Sequence, residues 1–474
     1  MSNNLPLSIV WLRNDLRLSD NPAFIAAASK GGVWPIYIFD TTSSQYLGSA
    51  SRWWLHHSLQ SLKDSLNGRL DYYVGNPHEI LIELAQQHNI KDLYWNRCYE
   101  PLQMQQEHNV IAASNHLNIT CHHFNGSLLW EPWEIMKDDG LPYKVFTPFY
   151  NRGYQGHIKP RSPEATSITY KLYDQAGSTT FSLLDKNSWY IKLGSYWDIG
   201  ERAAQKKLEL FIEDNLSGYA KARDYPADSQ TSRLSPHLHF GEISPNQIWW
   251  ALENLKRQGK YTSVLGDIER YQIELVWREF SYYLLYHHPT LPTQNLQRRF
   301  DHFPWQHNET MLQAWKTGQT GYPIIDAGMR ELWQTGYMHN RVRMLVASFL
   351  VKNLLIDWRY GAAWFLDCLV DADLANNSAS WQWVAGCGAD AAPYFRIFNP
   401  IIQGEKFDPN GTYTKHFVPE LAALPLRYLF KPWQAPSNVL QACNVALGRT
   451  YPQPIVDISA TRKAALQAFR SLSN

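Results

Sequence analysis

Short apolar runs alternate with helical patterns over the first 130 residues of the chain. The helical segments follow capping and helix-opening pairs such as Asn21-Pro22 and Asn76-Pro77. The apolar runs are bounded by turn residues and suit buried strands, at residues 7–13, 33–40, 70–74, 92–99 and 119–124. Strands that alternate with helices predict a parallel sheet covered on both faces, and hence an α/β, Rossmann-like domain. No GxGxxG motif follows the first strand, so a standard dinucleotide site is not expected there.

The pattern changes after residue 130. Residues 131–198 lack clear periodicity and are rich in Pro, Gly, Ser and Tyr, which is typical of a connector that runs over the surface. From residue 199 onward, apolar positions recur at helical spacing, and one helix is expected to begin at Pro323 and end before Gly336. We therefore predict three parts: an α/β domain at 1–130, a connector at 131–198 and an all-α domain at 199–474.

Charge and cysteine content narrow the class of protein. Lysine and arginine total 44 and aspartate and glutamate 43, which argues against a generally basic nucleic-acid-binding surface, so any DNA binding needs a local patch. The five cysteines are scattered without a CxxC pair, which argues against a disulfide framework or a zinc site and favours a reduced, cytoplasmic protein. The N-terminal residues do not show the pattern of a secretory signal and no apolar run reaches membrane-spanning length, so neither secretion nor a membrane span is expected.

Two polar clusters have both a structural and a chemical interpretation. After the first strand, Arg13, Asp15 and Arg17 are best explained by the residues alone as a surface charge cluster. The segment from Thr231 to Ser235 offers hydroxyls and a guanidinium that suit a phosphate group. Its pattern alone favours a helix-capping turn instead.

Paired carboxylates and one mixed helix face are further candidates. Asp371 and Asp373 could act as acid and base, whereas a metal site is not expected because no histidine neighbours them. Glu274, Trp277 and Arg278 lie at positions i, i+3 and i+4, so they share one face of a helix. That face suits either a polar cavity or an amphipathic edge with an intrahelical ion pair.

Six motifs follow one another between Trp305 and Pro400, namely TGYPIIDAGMREL, GYMHNRVRM, DWR, DADLANN, WQW and DAAPYFRIFNP. This stretch resembles the flavin-binding core of the DNA photolyase/cryptochrome family, and within it the class I cyclobutane pyrimidine dimer photolyases. The resemblance implies a cytoplasmic, monomeric enzyme that binds FAD and damaged DNA and that has no metal and no membrane association. Its expected reaction is light-driven repair, in which excited reduced FAD donates an electron to a flipped-out pyrimidine dimer.

The resemblance also assigns roles to single residues. Trp305, Trp358 and Trp381 match an electron-transfer triad that runs from solvent to the flavin, and with Glu274 and Asn377 they form the expected catalytic set. The matches to residues that hold FAD are Tyr219, Thr231, Ser232, Arg233, Leu234, Ser235, Arg343, Asp371, Ala372, Asp373 and Asn377. The matches to substrate and DNA contacts are Glu274, Trp277, Arg278, Asn340, Arg341, Met344, Trp383 and Arg396.

Alternative functions and the antenna depend on a few of these positions. Related cryptochrome photoreceptors more often carry Asp or Cys where this chain has Asn377, so Asn377, Trp383 and the short segment after the family-like region favour repair. A flavin oxidoreductase agrees less well with the aromatic-walled pocket and the set of arginines. Asn340 and Met344 occupy the two histidine positions of (6-4) photolyases, which predicts repair of cyclobutane dimers only.

The expected antenna is 5,10-methenyltetrahydrofolate or 8-hydroxy-deazaflavin. Gln103 replaces a glutamate of folate-binding members, which argues against the folate.

Overall fold

A parallel sheet forms the centre of the first part of the chain. Its strands are β1 (Leu7–Leu12), β2 (Gly32–Phe39), β3 (Asp71–Val74), β4 (Asp92–Asn96), β5 (Thr120–Phe124) and β6 (Lys171–Leu172). The order is β3-β2-β1-β4-β5, with the short β6 paired to β2, and Val10 of β1 lies between Pro35 of β2 and Tyr94 of β4. Residues 9–12 of β1 are all buried, as expected for the central strand of a doubly wound sheet. The predicted α/β part of the fold is therefore confirmed.

The computed structural model describes residues 6–40, 47–154, 156, 158–164, 170–173, 183–184, 189–228, 230–259, 262–391, 393–394 and 396–472. Parts of the predicted connector and two residues of the DAAPYFRIFNP motif, Ala392 and Phe395, lie outside this description. The described helices are α1 (Pro22–Lys30), α2 (Ser49–Ser65), α3 (Pro77–Gln87), α4 (Pro101–Asn115), α5 (Phe146–Tyr154), α6 (Glu201–Leu210), α7 (Tyr219–Ala222), α8 (Ser235–His239), α9 (Pro245–Arg257), α10 (Leu265–His287), α11 (Glu309–Lys316), α12 (Pro323–Thr335), α13 (Asn340–Ser348), α14 (Trp358–Cys368), α15 (Leu374–Ala385), α16 (Pro400–Phe407), α17 (Thr412–Phe417), α18 (Leu426–Leu429), α19 (Ser437–Ala442) and α20 (Ile458–Arg470).

The predicted surface charge cluster after β1 is wrong, because its three side chains are buried. Arg13, Asp15 and Arg17 are 6%, 2% and 1% exposed. Arg13 forms an ion pair with Glu107 at 2.8 Å, and Asp15 accepts a 2.7 Å hydrogen bond from the side-chain amide of Asn96. Arg17 donates to the backbone carbonyls of Asp20, Gly126 and Gly241. Burial of these charges is tolerated because each is paired or hydrogen-bonded.

The region predicted as a connector contains regular structure among its described residues. The helix α5 lies within it, and β6 adds a strand to the sheet beside β2. A 3₁₀ helix follows at Trp189–Ser195. The sequence pattern gave no signal for these short elements, because they are held by tertiary contacts rather than by local propensity.

The chain divides into two compact units that do not follow simple sequence order. The first unit is Met1–Ser217, Ser232–Pro289 and Val370–Ala375, and the second is Gly218–Thr231, Thr290–Leu369 and Asn376–Asn474. The second unit is helical among its described residues, as expected for that region. The boundaries of the three predicted parts stay a prediction. No described helix combines the length and the apolar character that crossing a bilayer requires.

Local signals predicted both ends of one helix of the second unit. As expected, α12 opens with Pro323 and ends against Gly336, whose φ of 68° is the left-handed conformation that glycine adopts easily. The next helix, α13, starts at Asn340 with His339 as its N-cap. It continues into a π-helical turn at Phe349–Asn353, a rare feature that is frequent at functional sites.

Candidate functional site

Two distant segments of the first unit meet at Asp371. Ser235 is the first residue of α8, and its hydroxyl donates a 2.6 Å hydrogen bond to Oδ2 of Asp371. One turn earlier, the hydroxyl of Ser232 accepts a 2.8 Å hydrogen bond from the Tyr271 hydroxyl on α10. The structure therefore brings together the hydroxyl-rich turn and one carboxylate of the DADLANN motif.

The turn before α8 is held in an unusual conformation at Arg233. Its φ of 51° lies in the left-handed region, which is uncommon for a residue with a side chain. The guanidinium lies 4.3 Å from the ring centre of Trp197, and the neighbouring Leu234 is fully buried. The strained backbone and the buried anchor fix the direction in which this turn presents its polar groups, which is a feature common at binding sites.

Asp373 belongs to a buried titratable cluster of the first unit. Tyr282 on α10 donates its hydroxyl to Asp373, and His239 Nδ1 lies 3.6 Å from the same carboxylate. Burial and the neighbouring Asp373 raise the pKa of the Tyr282 hydroxyl well above its usual range, so it stays protonated. Burial and the charge of Asp373 also raise the pKa of Glu100 to about 7. Sequence reasoning missed Tyr282 and His239, because only the fold brings them to Asp373.

The mixed face of α10 is only partly exposed. Glu274 forms an ion pair with Arg270 at 3.3 Å, one turn earlier on the same helix. The indole of Trp277 stacks on Phe146 with ring centroids 3.6 Å apart and planes within 5°. Both side chains keep partial solvent exposure, which is what a substrate-facing position requires.

Arg278 faces the protein rather than solvent. Its Nη1 donates to the Ser127 carbonyl at 3.0 Å and to Oε1 of Glu279 at 3.1 Å. Glu279 is 3% exposed, and burial raises the pKa of its carboxyl to about 7. Backbone N–H of Leu129 donates to the second carboxylate oxygen at 2.7 Å. These contacts favour a structural role for Arg278, and its phosphate contact stays a prediction.

The start of α13 carries three of the residues predicted to bind substrate or DNA. Asn340 is exposed, and Met344, one turn later, is partly exposed. Arg341 pairs with Asp224 at 2.8 Å and covers the ring of Phe407 at 4.5 Å. His339 Nδ1 accepts the backbone N–H of Arg341 at 3.2 Å, and burial lowers the pKa of His339 to about 4. The imidazole is therefore neutral and buried in the protein.

The remaining cofactor candidates of the second unit are polar or aromatic side chains that are buried or partly exposed. The Asn377 amide donates to the Ala362 carbonyl at 3.0 Å, and the residue is 9% exposed. Arg343 Nε donates to the Met338 carbonyl at 2.7 Å. Tyr219 is 5% exposed and opens the short helix α7, where Arg223 lies 5.5 Å from its ring centre. Thr231 is partly exposed.

The three tryptophans of the expected triad lie in the second unit, two of them buried and one partly exposed. Trp381 and Trp358 are 2% and 1% exposed, and Trp305 is partly exposed. Trp358 Nε1 donates to Asn295 at 2.9 Å. No two of these rings contact each other among the described residues; the nearest ring neighbours of Trp381 are Phe365 at 5.0 Å and Trp315 at 6.2 Å.

Arg396 is the most exposed of the predicted phosphate contacts, and a buried lysine supports its backbone. Lys352, in the π-helical turn, is 1% exposed and donates to the Arg396 carbonyl at 3.0 Å. Burial and the charge of Arg396 lower the pKa of Lys352 to about 8. Sequence reasoning missed Lys352.

Trp383, the other predicted wall of the substrate site, is partly exposed and makes no ring contact among the described residues.

Comparison with known proteins identifies the family. Residues 271–471 match the family described as the FAD binding domain of DNA photolyase, and residues 8–166 match the DNA photolyase family. A deoxyribodipyrimidine photo-lyase of Agrobacterium fabrum is 47% identical to the chain over 473 residues, which cover 98% of each protein. The chain belongs to the DNA photolyase/cryptochrome family. Its DNA photolyase/cryptochrome fold, an α/β domain followed by a helical FAD-binding domain, agrees with the architecture expected from the sequence.

The relatives within the DNA photolyase/cryptochrome family include both of its named types. Cryptochrome-2 of Arabidopsis thaliana is 36% identical over 488 residues, which cover 98% of the chain and 78% of that protein. A solved structure of a bacterial class III photolyase from Agrobacterium tumefaciens matches with a TM-score of 0.94 and 45% identity, covering 100% of the chain and 98% of that structure. The class I assignment expected from the motifs is therefore not confirmed.

Proposed function

We propose that the chain is a deoxyribodipyrimidine photo-lyase that repairs cyclobutane pyrimidine dimers in DNA with light. The observation that carries the proposal is the partly exposed face of α10, where Glu274 and Trp277 lie one turn apart. The indole supplies a flat surface for stacking on flipped pyrimidines, and the carboxylate accepts hydrogen bonds from their edges. Trp383 is the second stacking residue, and Arg341 and Arg396 are the phosphate contacts.

The polar turn before α8 and the carboxylate of Asp371 suit the binding of FAD. The Ser232 hydroxyl and the Arg233 guanidinium belong to one turn and supply donors that suit a diphosphate, while the Ser235 hydroxyl donates to Asp371 and fixes that carboxylate beside the turn. Asp371, Asp373, Arg343 and Tyr219 are the proposed contacts to the rest of the cofactor. Asn377 offers a neutral amide, which hydrogen-bonds a reduced ring without adding charge. When bound and reduced, FAD supplies the photoexcited electron donor.

The chain is better described as a class III photolyase than as class I. The similar solved photolyase bears that class name at 45% identity over the full chain. The motifs that suggested class I, such as DADLANN and WQW, lie within the segment that matches the common FAD-binding family, so they do not separate the two classes.

A cryptochrome photoreceptor is the second candidate, because Cryptochrome-2 of Arabidopsis thaliana is 36% identical to the chain. Asn377 and the stacking surface of Trp277 favour repair over signalling. A flavin oxidoreductase acts on a small molecule, whereas the stacking surface of Trp277 and the arginines Arg341 and Arg396 favour a DNA substrate.

The antenna stays a prediction. Gln103 follows β4 in α4, and its Oε1 is buried without a hydrogen-bond partner among the described residues. An amide at this position lacks the charge of the glutamate in folate-binding members, so 8-hydroxy-deazaflavin remains beside 5,10-methenyltetrahydrofolate. The absorption spectrum of the purified protein distinguishes these two antennas from a protein that carries FAD alone.

The decisive experiment uses the purified holoprotein with chemically reduced FAD and an oligonucleotide that carries one thymine dimer. Restored thymines are counted after blue illumination and in a dark control. We expect light-dependent restoration and tighter binding to the dimer strand than to the undamaged strand. Equal binding to both strands without restoration would reject the photo-lyase proposal and favour the cryptochrome.

A further inference from the structure

Three aromatic side chains line one face of α5, the helix found inside the predicted connector. Phe146, Tyr150 and Tyr154 are spaced by four residues, and positions i, i+4 and i+8 fall on the same side of a helix. Neither the family motifs nor the predicted site include them.

These rings form a stacked column that ends on Trp277. The ring centroids of Tyr154 and Tyr150 are 4.9 Å apart with planes at 13°, and those of Tyr150 and Phe146 are 5.8 Å apart at 24°. Phe146 and Trp277 then stack at 3.6 Å and 5°, which is closer than the usual offset between aromatic pairs. Four rings therefore lie nearly parallel in one row.

The column is fixed at one end and terminates in Trp277 at the other. The Tyr154 hydroxyl accepts a 3.2 Å hydrogen bond from Lys256 Nζ, and its ring meets the edge of Trp249 at 5.5 Å. Trp277 has Phe146 on one face and makes a T-shaped contact with Phe280, with ring centroids 6.0 Å apart. No other ring or cation covers Trp277 among the described residues.

We propose that this aromatic column is a positioning device that fixes the plane of Trp277, and that Phe146 is its positioning residue. The inference rests on the proposed function, in which the other face of Trp277 stacks on the flipped pyrimidine dimer. A ring held in one plane before binding loses less conformational freedom when the substrate stacks on it. Phe146 never touches the dimer in this arrangement, so its effect is confined to dimer recognition.

The test compares two leucine substitutions on the same helix. Phe146→Leu removes the ring behind Trp277, whereas Phe149→Leu removes another buried ring, which contacts Phe280 and Tyr283 but not Trp277. We expect Phe146→Leu to weaken binding to a dimer-containing strand by about 3- to 10-fold, since pre-organised stacking is lost, with undamaged-strand binding unchanged. We expect Phe149→Leu to lower the melting temperature about as much as Phe146→Leu does, but to leave the preference for the dimer-containing strand intact. Repair by complexes saturated with substrate should be unchanged in both.

Two further variants keep the outcome decisive. Phe146→Tyr retains the ring and should restore dimer binding to within about twofold of the parent chain. Tyr150→Leu removes the second ring, which is partly exposed, and should give a smaller loss than Phe146→Leu. It serves as the test if Phe146→Leu does not fold. The positioning role is overturned if Phe146→Leu, or Tyr150→Leu in its place, keeps the parent's preference for the dimer-containing strand. It is also overturned if Phe149→Leu loses as much of that preference as Phe146→Leu. A parent chain with no dimer preference instead rejects the proposed function itself.

Discussion

Ser235 and Asp371, which are 136 positions apart in the chain, are joined by a 2.6 Å hydrogen bond from the serine hydroxyl to Oδ2 of the carboxylate. The bond ties the turn before α8 to the DADLANN motif. In the proposed function both residues hold FAD, so the bond fixes two parts of one cofactor site.

Loss of this hydrogen bond should weaken FAD binding. A hydrogen bond to a charged group contributes about 1.5–3 kcal/mol. We therefore expect Ser235→Ala to raise the dissociation constant of FAD by at least about tenfold. The measurement is the recovery of flavin fluorescence when FAD is released. Ser348→Ala is the matched control, because that buried hydroxyl has no hydrogen-bond partner among the described residues. Equal FAD retention in both variants would contradict the assignment.

The electron path gives a second prediction. Trp381→Phe should block photoreduction of oxidised FAD, because phenylalanine is far harder to oxidise than tryptophan, while repair by chemically reduced protein should survive. The measurement is bleaching of the oxidised flavin absorption under blue light with an external reductant.

Trp315→Phe is the control for the electron path. Trp315 is also buried and meets Trp381 at 6.2 Å, but it is not part of the expected triad. Photoreduction should persist in Trp315→Phe and fail in Trp358→Phe. The opposite pattern would assign the path to Trp315 instead of the triad.

Sequence-based prediction succeeded where the signal is local. The ends of α12 follow from Pro323 and Gly336, and the shared face of Glu274 and Trp277 follows from helical geometry alone. The placement of Arg17 failed, because its carbonyl acceptors at Gly126 and Gly241 lie 109 and 224 positions away. For the same reason, no sequence pattern placed Phe146 behind Trp277 or Tyr282 beside Asp373. Such partners are set by the fold.

Substrate stacking gives a third prediction. Trp277→Ala should weaken binding to dimer-containing DNA by about 1–3 kcal/mol through lost base stacking. Trp333→Ala is the matched control, because Trp333 is 40% exposed and stacks on Trp364 instead. If Trp277→Ala lowers only the thermal stability, the indole is a packing residue and not a substrate wall.

Arg341 should act on all DNA alike, because a phosphate contact carries no base information. Arg341→Ala should weaken damaged and undamaged strands equally and reduce the salt slope of binding by about 1. Arg330→Ala is the control, because that guanidinium pairs with Glu420 at 2.8 Å and has no proposed DNA contact. A selective loss of dimer binding in Arg341→Ala would reject the phosphate role.

The buried His339 at the start of α13 should make the free energy of unfolding depend on pH. Burial lowers its pKa from 6.5 to about 4, so between these values the unfolded chain binds a proton that the folded chain does not. The free energy of unfolding therefore falls as the pH decreases through this window. In His339→Asn, which retains a capping side chain, the loss between pH 7 and pH 5 should be smaller by about 2 kcal/mol in denaturant titrations. His307→Asn, at an exposed position, should behave like the parent chain, and an equal loss in His339→Asn would refute the assignment.

The start of α13 also determines which lesion is repaired. Asn340 and Met344 present an amide and a thioether where (6-4) photolyases place two histidines, and neither group titrates near neutral pH. The neighbouring His339 is neutral, buried and occupied as a helix cap, so it cannot serve as the missing acid. Splitting of a cyclobutane ring by electron transfer needs no such acid. We therefore expect reduced protein under blue light to restore pyrimidines from a cyclobutane dimer and not from a (6-4) photoproduct in otherwise identical oligonucleotides. Restoration of both lesions at comparable rates would show that another group supplies the proton, and that these two positions do not set the lesion specificity.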